Sequence, residues 1–332
     1  MARFDFDMLS PYANGMAKNW NGEEFPLAHE PAREEAEKIE VIYLLGCGRS
    51  GSTLLDLVLG SHHRVASVGE IWYHHRWLEN NFECTCGAPF ESCDFWQAVT
   101  EKLRGSHNQA GVTPVQSRRG KVRALLQLLA GGKLPARAQT RGYALATYRL
   151  FKAVQEVSQK PVILDSSKNP MRLLYLGASG LFKIKIIHLI RDGRAYVNST
   201  RWPVKMPAQG GQTAPAQSVW RATWRWLLTN SLSSLICSRL PKASWCAIKY
   251  EDFASAPVVV MQRLCEFLDI QYSPDLLAGD KPVTHNISGS RWRYQAGRTI
   301  RLDEKWRAEL PARRRLAFTL LAGWLNRKYG YK

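Results

Sequence analysis

Val41-Ile42-Tyr43-Leu44-Leu45-Gly46-Cys47-Gly48-Arg49-Ser50-Gly51-Ser52-Thr53-Leu54-Leu55 begins as an apolar run, breaks into a glycine-rich turn and resumes as an apolar, helix-forming segment. A short apolar run ended by glycine predicts a buried strand. A strand that turns directly into a helix leaves the first N–H groups of that helix unpartnered, and these form a cradle for an anion. Set against the loop G-x-x-x-x-G-K-[ST], the glycines fall at Gly46 and Gly51 and the hydroxyl at Thr53, but Ser52 stands where the lysine belongs. That replacement narrows the ligand. A γ-phosphoryl group is met by the lysine and a magnesium ion. Here the loop's one cation is Arg49, whose planar fork suits an oxyanion already held by backbone amides. The residues expected to touch that anion are Cys47, Gly48, Arg49, Ser50, Gly51, Ser52 and Thr53.

A second strand-to-helix junction lies downstream. Lys183-Ile184-Lys185-Ile186-Ile187-His188-Leu189-Ile190 reads as a strand and runs into Arg191-Asp192-Gly193-Arg194-Ala195-Tyr196-Val197-Asn198-Ser199. An Arg at the strand end and a hydroxyl two helical turns on can both face one phosphate. Together the two junctions resemble the sulfotransferase family that uses 3′-phosphoadenosine 5′-phosphosulfate (PAPS). That family has a 5′-phosphosulfate loop and a 3′-phosphate site of Arg plus Ser eight positions later, the spacing of Arg191 and Ser199. Ile248-Lys249-Tyr250-Glu251-Asp252-Phe253 resembles the family's strand-end Tyr-Glu-Asp, which implies that Tyr250 sits against the adenine. The likeness is nearest to the bacterial, carbohydrate and tyrosylprotein branches and spans Val41 to Arg293.

The resemblance implies an enzyme that moves a sulfuryl group from PAPS to a hydroxyl, with a base for the acceptor's proton and cations for the departing phosphate. It implies no metal at this step. Glu70, in Ser67-Val68-Gly69-Glu70, follows a short β-like run twenty-one residues after Arg49 and is the expected base. His62 and His63 compete for that role, although capping or surface positions explain them more simply. Ile163-Leu164-Asp165-Ser166-Ser167-Lys168-Asn169-Pro170 is an apolar strand ending in a polar cluster, where ligands sit in open α/β sheets. A cation near a helix start calls for an anion, so Lys168 is expected at the sulfate or the bridging oxygen. His285-Asn286-Ile287-Ser288-Gly289-Ser290-Arg291-Trp292-Arg293 resembles the family's closing loop but departs from both of its common forms. Arg291 and Arg293 are its expected phosphate contacts.

At 332 residues the chain has no linker dividing it. Strands near 41–46, 64–68, 161–165, 184–190 and 245–249 alternate with helices near 52–60, 142–158, 192–201, 216–238, 256–268 and 311–328. This alternation predicts an α/β fold, a P-loop parallel sheet flanked by helices. Residues 1–40 read as an acidic extension, partly helical through Pro31–Lys38; 41–332 read as the sulfotransferase domain, with an inserted cap about 104–140 around a short helix at Val122–Leu129. Within a net charge of +18, residues 1–40 hold nine acids and four bases, so the body is very basic. Such a surface attracts nucleotides, acidic glycans and membranes alike. With no leader and no eighteen-residue apolar run, the chain is expected to be cytoplasmic.

Cys84, Cys86 and Cys93 form a C-x-C-x6-C trio shortly after His74 and His75. Zinc, reduced thiols and a single disulfide all remain open, because a tetrahedral site needs a fourth ligand. Arg313–Leu325 suits a core-packed helix with a basic start better than a membrane-surface helix, and of Trp220 and Trp224 at least one is expected in the core, the alternative being an acceptor cleft. Partners are therefore PAPS or its product PAP and a hydroxyl acceptor that is carbohydrate, lipid or small molecule, with peripheral membrane contact open and no nucleic acid expected. The rival readings are an atypical P-loop nucleotide kinase, against which Ser52 argues, and a polyanion binder, which has no use for the Arg191–Ser199 spacing.

Overall fold

Alternation along Ile39–Gly46 (β1) builds two cores at once. Ile39, Val41, Tyr43 and Leu45 pack into one apolar layer, Ile42 and Leu44 into the opposite one, and none is more than 2% exposed. Each buried aliphatic side chain contributes about 1.5–3 kcal/mol. A strand covered on both faces has no need of polar alternation, hence the unbroken apolar run. The computed structural model describes residues 17–18, 24–25, 37–74, 77, 80–105, 138–205, 213–278, 284–287 and 300–332.

β1 is the centre of a five-stranded parallel sheet completed by Val65–Gly69 (β2), Val162–Lys168 (β3), Phe182–Ile190 (β4) and Trp245–Lys249 (β5), in the order β2-β3-β1-β4-β5. The helices, in chain order, are α1 (Ser52–Gly60), α2 (Asp94–Gly105), α3 (Ala138–Ser158), α4 (Pro170–Ser179), α5 (Gly193–Ser199), α6 (Val219–Ser238), α7 (Tyr250–Ser255), α8 (Pro257–Leu268), α9 (Trp306–Glu309) and α10 (Ala312–Lys328). Leu55, Val58 and Leu59 of α1 and Met261 and Leu264 of α8 cover one face. Trp96 of α2, Leu150 and Phe151 of α3, Leu176 of α4 and Ile236 of α6 cover the other. The connection leaving β1 runs to one side of the sheet and the one leaving β3 to the other, which opens a crevice at the C-terminal ends of the strands.

Two irregularities sharpen that edge. Between the pairs Ser67↔Leu164 and Gly69↔Asp165, β2 advances two residues against one. Between Tyr43↔Asp165 and Leu45↔Lys168, β3 advances three against two. Each is a β-bulge, which bends the strand and re-aims the side chain that follows it.

The five strands fall where the sequence places them, and the parallel α/β sheet flanked by helices is the one it predicts. Other expectations change. Ile39 and Glu40 belong to β1, inside the expected extension, and Glu37 and Lys38 are irregular rather than helical, while 31–36 lie outside the described residues. The expected cap overlaps the end of α2 and the start of α3; its remainder, Val122–Leu129 included, lies outside the described residues. Helix α4 was not expected, although Asn169 caps it by accepting from Met171 N and Arg172 N, and Pro170 opens it. Trp220 and Trp224 are both exposed, at 55% and 49%, and neither enters the core; Trp226 does, edge-on to Phe318 of α10 at 5.4 Å. Helix α10 packs Phe318, Ala322 and Leu325 inward as expected, leaving Leu316, Leu320 and Trp324 exposed on its other side. Among the described residues no helix is long and apolar enough to cross a membrane.

Candidate active site

All five strands deliver a residue to one cavity of ≈1170 Å³ at their C-terminal ends: Glu70 after β2, Lys168 at the end of β3, the loop after β1, Arg191 after β4 and Tyr250 after β5. The β1 loop is shaped by backbone. Gly46 (φ 138°) lies so near β4 that a Cβ would stand 2.3 Å from Leu189 O, and Gly51 (φ 84°) so near Tyr250 that a Cβ would stand 2.5 Å from its ring. Only glycine fits both demands. Arg49 adopts φ 64°, which the surrounding turn holds in place. Helix α1 then starts with no side-chain cap and no acid in its first turn, so its positive end faces the cavity uncompensated.

The loop side chains divide. Arg49 is exposed; Gly48 and Thr53 are half-buried; Ser50 and Ser52 are buried, and Ser50 Oγ has no hydrogen-bond partner among the described residues. Cys47 also lines the cavity and packs with Ala195, Tyr196 and Trp226, and burial pushes its thiol up to about 11.

Glu70 and Lys168 meet. Their Oε1 and Nζ are 2.8 Å apart, with side chains 17% and 13% exposed. Each follows one of the two bulges: Glu70 comes after Gly69 (φ 60°), and Lys168 itself adopts φ 60°. A network behind them fixes the geometry. Ser167 Oγ accepts from Trp72 N at 3.1 Å, Ser167 N donates to Asp165 Oδ1 at 3.0 Å, and Asp165 pairs with Arg172 of α4 at 2.7 Å, both fully buried. Lys168 Nζ also donates to Ser166 O at 3.0 Å. The anion that a lysine near a helix start requires is therefore Glu70 itself.

At β4, Arg191 is 7% exposed and donates to Arg49 O at 2.9 Å, which ties the two phosphate motifs together. Its guanidinium pairs with Asp303 at 2.8 Å and stacks over the Tyr250 ring at 4.6 Å, while its Nε has no partner among the described residues. Asp192 does not pair with Arg191; it caps α5 and binds Arg194 at 2.7 Å. Ser199 lines the same cavity, its hydroxyl bonded to Tyr196 O at 2.7 Å. Tyr250 donates to Arg301 O at 2.9 Å and accepts from Asp303 N at 3.2 Å. Glu251, whose pKa burial raises against the Tyr331 hydroxyl it accepts, holds Asp192 N at 3.1 Å and so locks the β4 exit to the β5 exit.

His62 is 2% exposed, its ring bonded to Gln271 O at 3.0 Å and Arg64 N at 3.1 Å, and His63 stacks on it at 4.3 Å; neither lines the cavity. His74 packs among Trp77, Phe90 and Trp96, away from the cysteine trio, and His75 lies outside the described residues. The three cysteines gather instead round His285. Arg291 and Arg293 lie outside the described residues, but Arg301, Leu302, Asp303 and Lys305, a few positions on, line the cavity.

Sequence reasoning missed Asp303, Arg225, Arg301 and Lys305, all of which line the cavity. No motif marks them, because they come from helix and loop surfaces far along the chain. With Arg49, Lys168 and Arg191 they bring six basic residues against the acids Glu70 and Asp303, a lining suited to a polyanion.

No curated protein matches the chain. The sulfotransferase domain of the Synechococcus PCC 7002 olefin synthase has the same fold, with a TM-score of 0.52 and 20% identity over 90% of this chain and 97% of that one. Mouse sulfotransferase SULT7A1, solved with PAP, is similar at a TM-score of 0.40 and 11% identity over 96% and 99%. A sequence model described as the sulfotransferase family matches residues 41–274, from within β1 to past α8, and the chain belongs to that family.

Proposed function

We propose that this sulfotransferase takes PAPS as donor and transfers its sulfuryl group to a hydroxyl acceptor, with Glu70 as the base and Lys168 as the cation at the bridging oxygen. The observation that carries this reading is the Glu70–Lys168 contact of 2.8 Å, made by two separate strands beside the phosphate loop in the same cavity. The donor's fit is supported by groups that lack partners among the described residues: Ser50 Oγ and Arg191 Nε. The start of α1, Arg49 and the amides from Cys47 to Thr53 would hold the 5′-phosphosulfate. Arg191 and Ser199 would take the 3′-phosphate, and Tyr250, which touches both Gly51 and Arg191, lies where the adenosine must join the two ends.

In the reaction the acceptor oxygen attacks sulfur as its proton passes to Glu70. The bond between sulfur and the bridging phosphate oxygen breaks, and Lys168 stabilises the charge left on that oxygen. Donor binding separates the ion pair: Lys168 moves to the sulfate and releases Glu70 to act as a base. The acceptor class, with carbohydrate, lipid and small-molecule hydroxyls as candidates, is resolved by screening pools of each with radiolabelled donor.

Calorimetry with PAP in magnesium-free buffer tests the donor site. The wild type should bind, and Arg191→Ala should lose at least tenfold in affinity, about 1.4 kcal/mol or more. Stabilisation by ATP only with magnesium, and none by PAP, would replace this reading with that of a kinase.

A further inference from the structure

The loop between β2 and α2 brings three thiols and an imidazole to one point. Cys84 Sγ, Cys86 Sγ, Cys93 Sγ and His285 Nδ1 all lie within 4.8 Å of one another. Cys86 and Cys93 are 3.6 Å apart, Cys84 and Cys93 3.7 Å; His285 Nδ1 is 3.3 Å from Cys93 and 4.0 Å from Cys84. These are not disulfide distances, since bonded sulfurs stand about 2.05 Å apart, and all three cysteines are free. They lie close to four of the six edges of a coordination tetrahedron. Zinc bonds of about 2.3 Å to sulfur and about 2.0–2.1 Å to nitrogen, opened at the tetrahedral angle, set ligand atoms roughly 3.6–3.8 Å apart.

The surroundings hold each ligand in place. Cys84 N donates to Ala88 O at 2.8 Å and Gly87 N to Cys84 O at 2.9 Å; Gly87, at φ 90°, turns the chain tightly behind Cys86. The His285 ring lies flat on Phe95, with centroids 4.8 Å apart and planes 9° apart, and its carbonyl accepts from Trp96 Nε1 at 2.8 Å. Such contacts fix a ligating ring's orientation. Thr85 and Asn286 exchange two hydrogen bonds of 3.0 Å, and Cys84 bridges Ile287. None of the four ligands lines the active-site cavity.

We propose that Cys84, Cys86, Cys93 and His285 Nδ1 bind one zinc ion in a closed, structural Cys3His site that staples the Cys84–Cys93 loop to residues 284–287. Three thiol protons pass to solvent as three S–Zn bonds and one N–Zn bond form. Thiolates favour zinc over magnesium or calcium, and four protein ligands leave no position for substrate, so the ion is structural. The stapled segment has a further anchor in Asn286, fully buried, whose Nδ2 donates to Asp56 of α1 at 3.2 Å and Ser67 of β2 at 2.9 Å. The chain continues from it to Arg291 and Arg293.

The test is elemental analysis of the full chain, purified without nickel affinity or chelator. One zinc per chain is expected, released by a mercurial that titrates thiols and restored by added zinc. The cobalt-exchanged protein should show thiolate-to-cobalt charge-transfer bands and the strong visible bands of a tetrahedral ion. Cys93→Ser and His285→Ala should lose the metal, whereas His285→Cys, which keeps a fourth ligand, should retain it. Metal-free wild type after growth in zinc-supplemented medium, or a mass two hydrogen atoms light from a disulfide, overturns the proposal. So does full zinc content in both Cys93→Ser and His285→Ala. If Cys93→Ser does not fold, the wild-type stoichiometry and cobalt spectrum still decide. No readout depends on turnover or donor binding.

Discussion

The loop from Gly46 to Thr53 and the Glu70–Lys168 pair face one cavity but are built by opposite means. The loop is a product of backbone: its demands are two positive-φ glycines and a helix start, all within eight consecutive residues. The pair is a product of side chains carried by two strands nearly a hundred positions apart and brought together by two bulges. The difference teaches what each can tolerate. The loop's shape rests on its two glycines and its helix start, whereas the pair rests on the charges of both its side chains.

The comparison breaks most visibly at Glu70. Glu70→Gln keeps size and hydrogen-bonding reach but not proton affinity, so turnover on a confirmed acceptor should fall by roughly 10²-fold or more while PAP binding persists. Near-normal turnover would remove Glu70 from the chemistry; loss of PAP binding as well would make it a structural partner of Lys168. At the backbone end the expected effect is smaller. Gly51→Ala places a side chain at φ 84° against the Tyr250 ring, a strain of about 1–2 kcal/mol, and should weaken PAP binding about tenfold with a lower melting temperature. Unchanged affinity would show that the loop's shape is not fixed by its glycines. The smallest effect sharpens the contrast. Asp303→Asn removes the partly exposed anion now paired with Arg191, so PAP should bind about two- to fivefold tighter, as titration calorimetry can measure. Unchanged or weaker binding would mean that Asp303 positions Arg191 rather than competes for it.

How far the sequence could be read follows the same division. The β1 loop, Arg191 and the five strands were legible because their signals are consecutive residues: apolar runs, glycines, an Arg at a strand end. Glu70 and Lys168 could each be singled out, but not their contact, which depends on strand order and on two register shifts that leave no local trace. Asp303, and the meeting of His285 with the cysteines, escaped the sequence for a related reason, since each contact spans more than a hundred residues. Asn169-Pro170 did carry the signal for α4, a capping side chain before a proline at the first helical position, and was read only as a polar cluster. On α6 the Trp pair at i and i+4 pointed to the wrong face. Which side of that helix turns inward is decided by Phe318 of α10 meeting Trp226, an event about ninety residues downstream.

The bulge in β3 means that the site is encoded in chain length as well as in residue identity. Excising Ser166 would restore regular pairing with β1 and leave the apolar stretch Val162–Leu164 untouched, so the sheet would keep its core. Lys168 would still stand opposite Leu45, but without the bulge it would lose the positive-φ turn (φ 60°) that aims its ammonium at Glu70. A site built this way can lose its chemistry through a single-codon deletion while the sheet that carries it keeps its core.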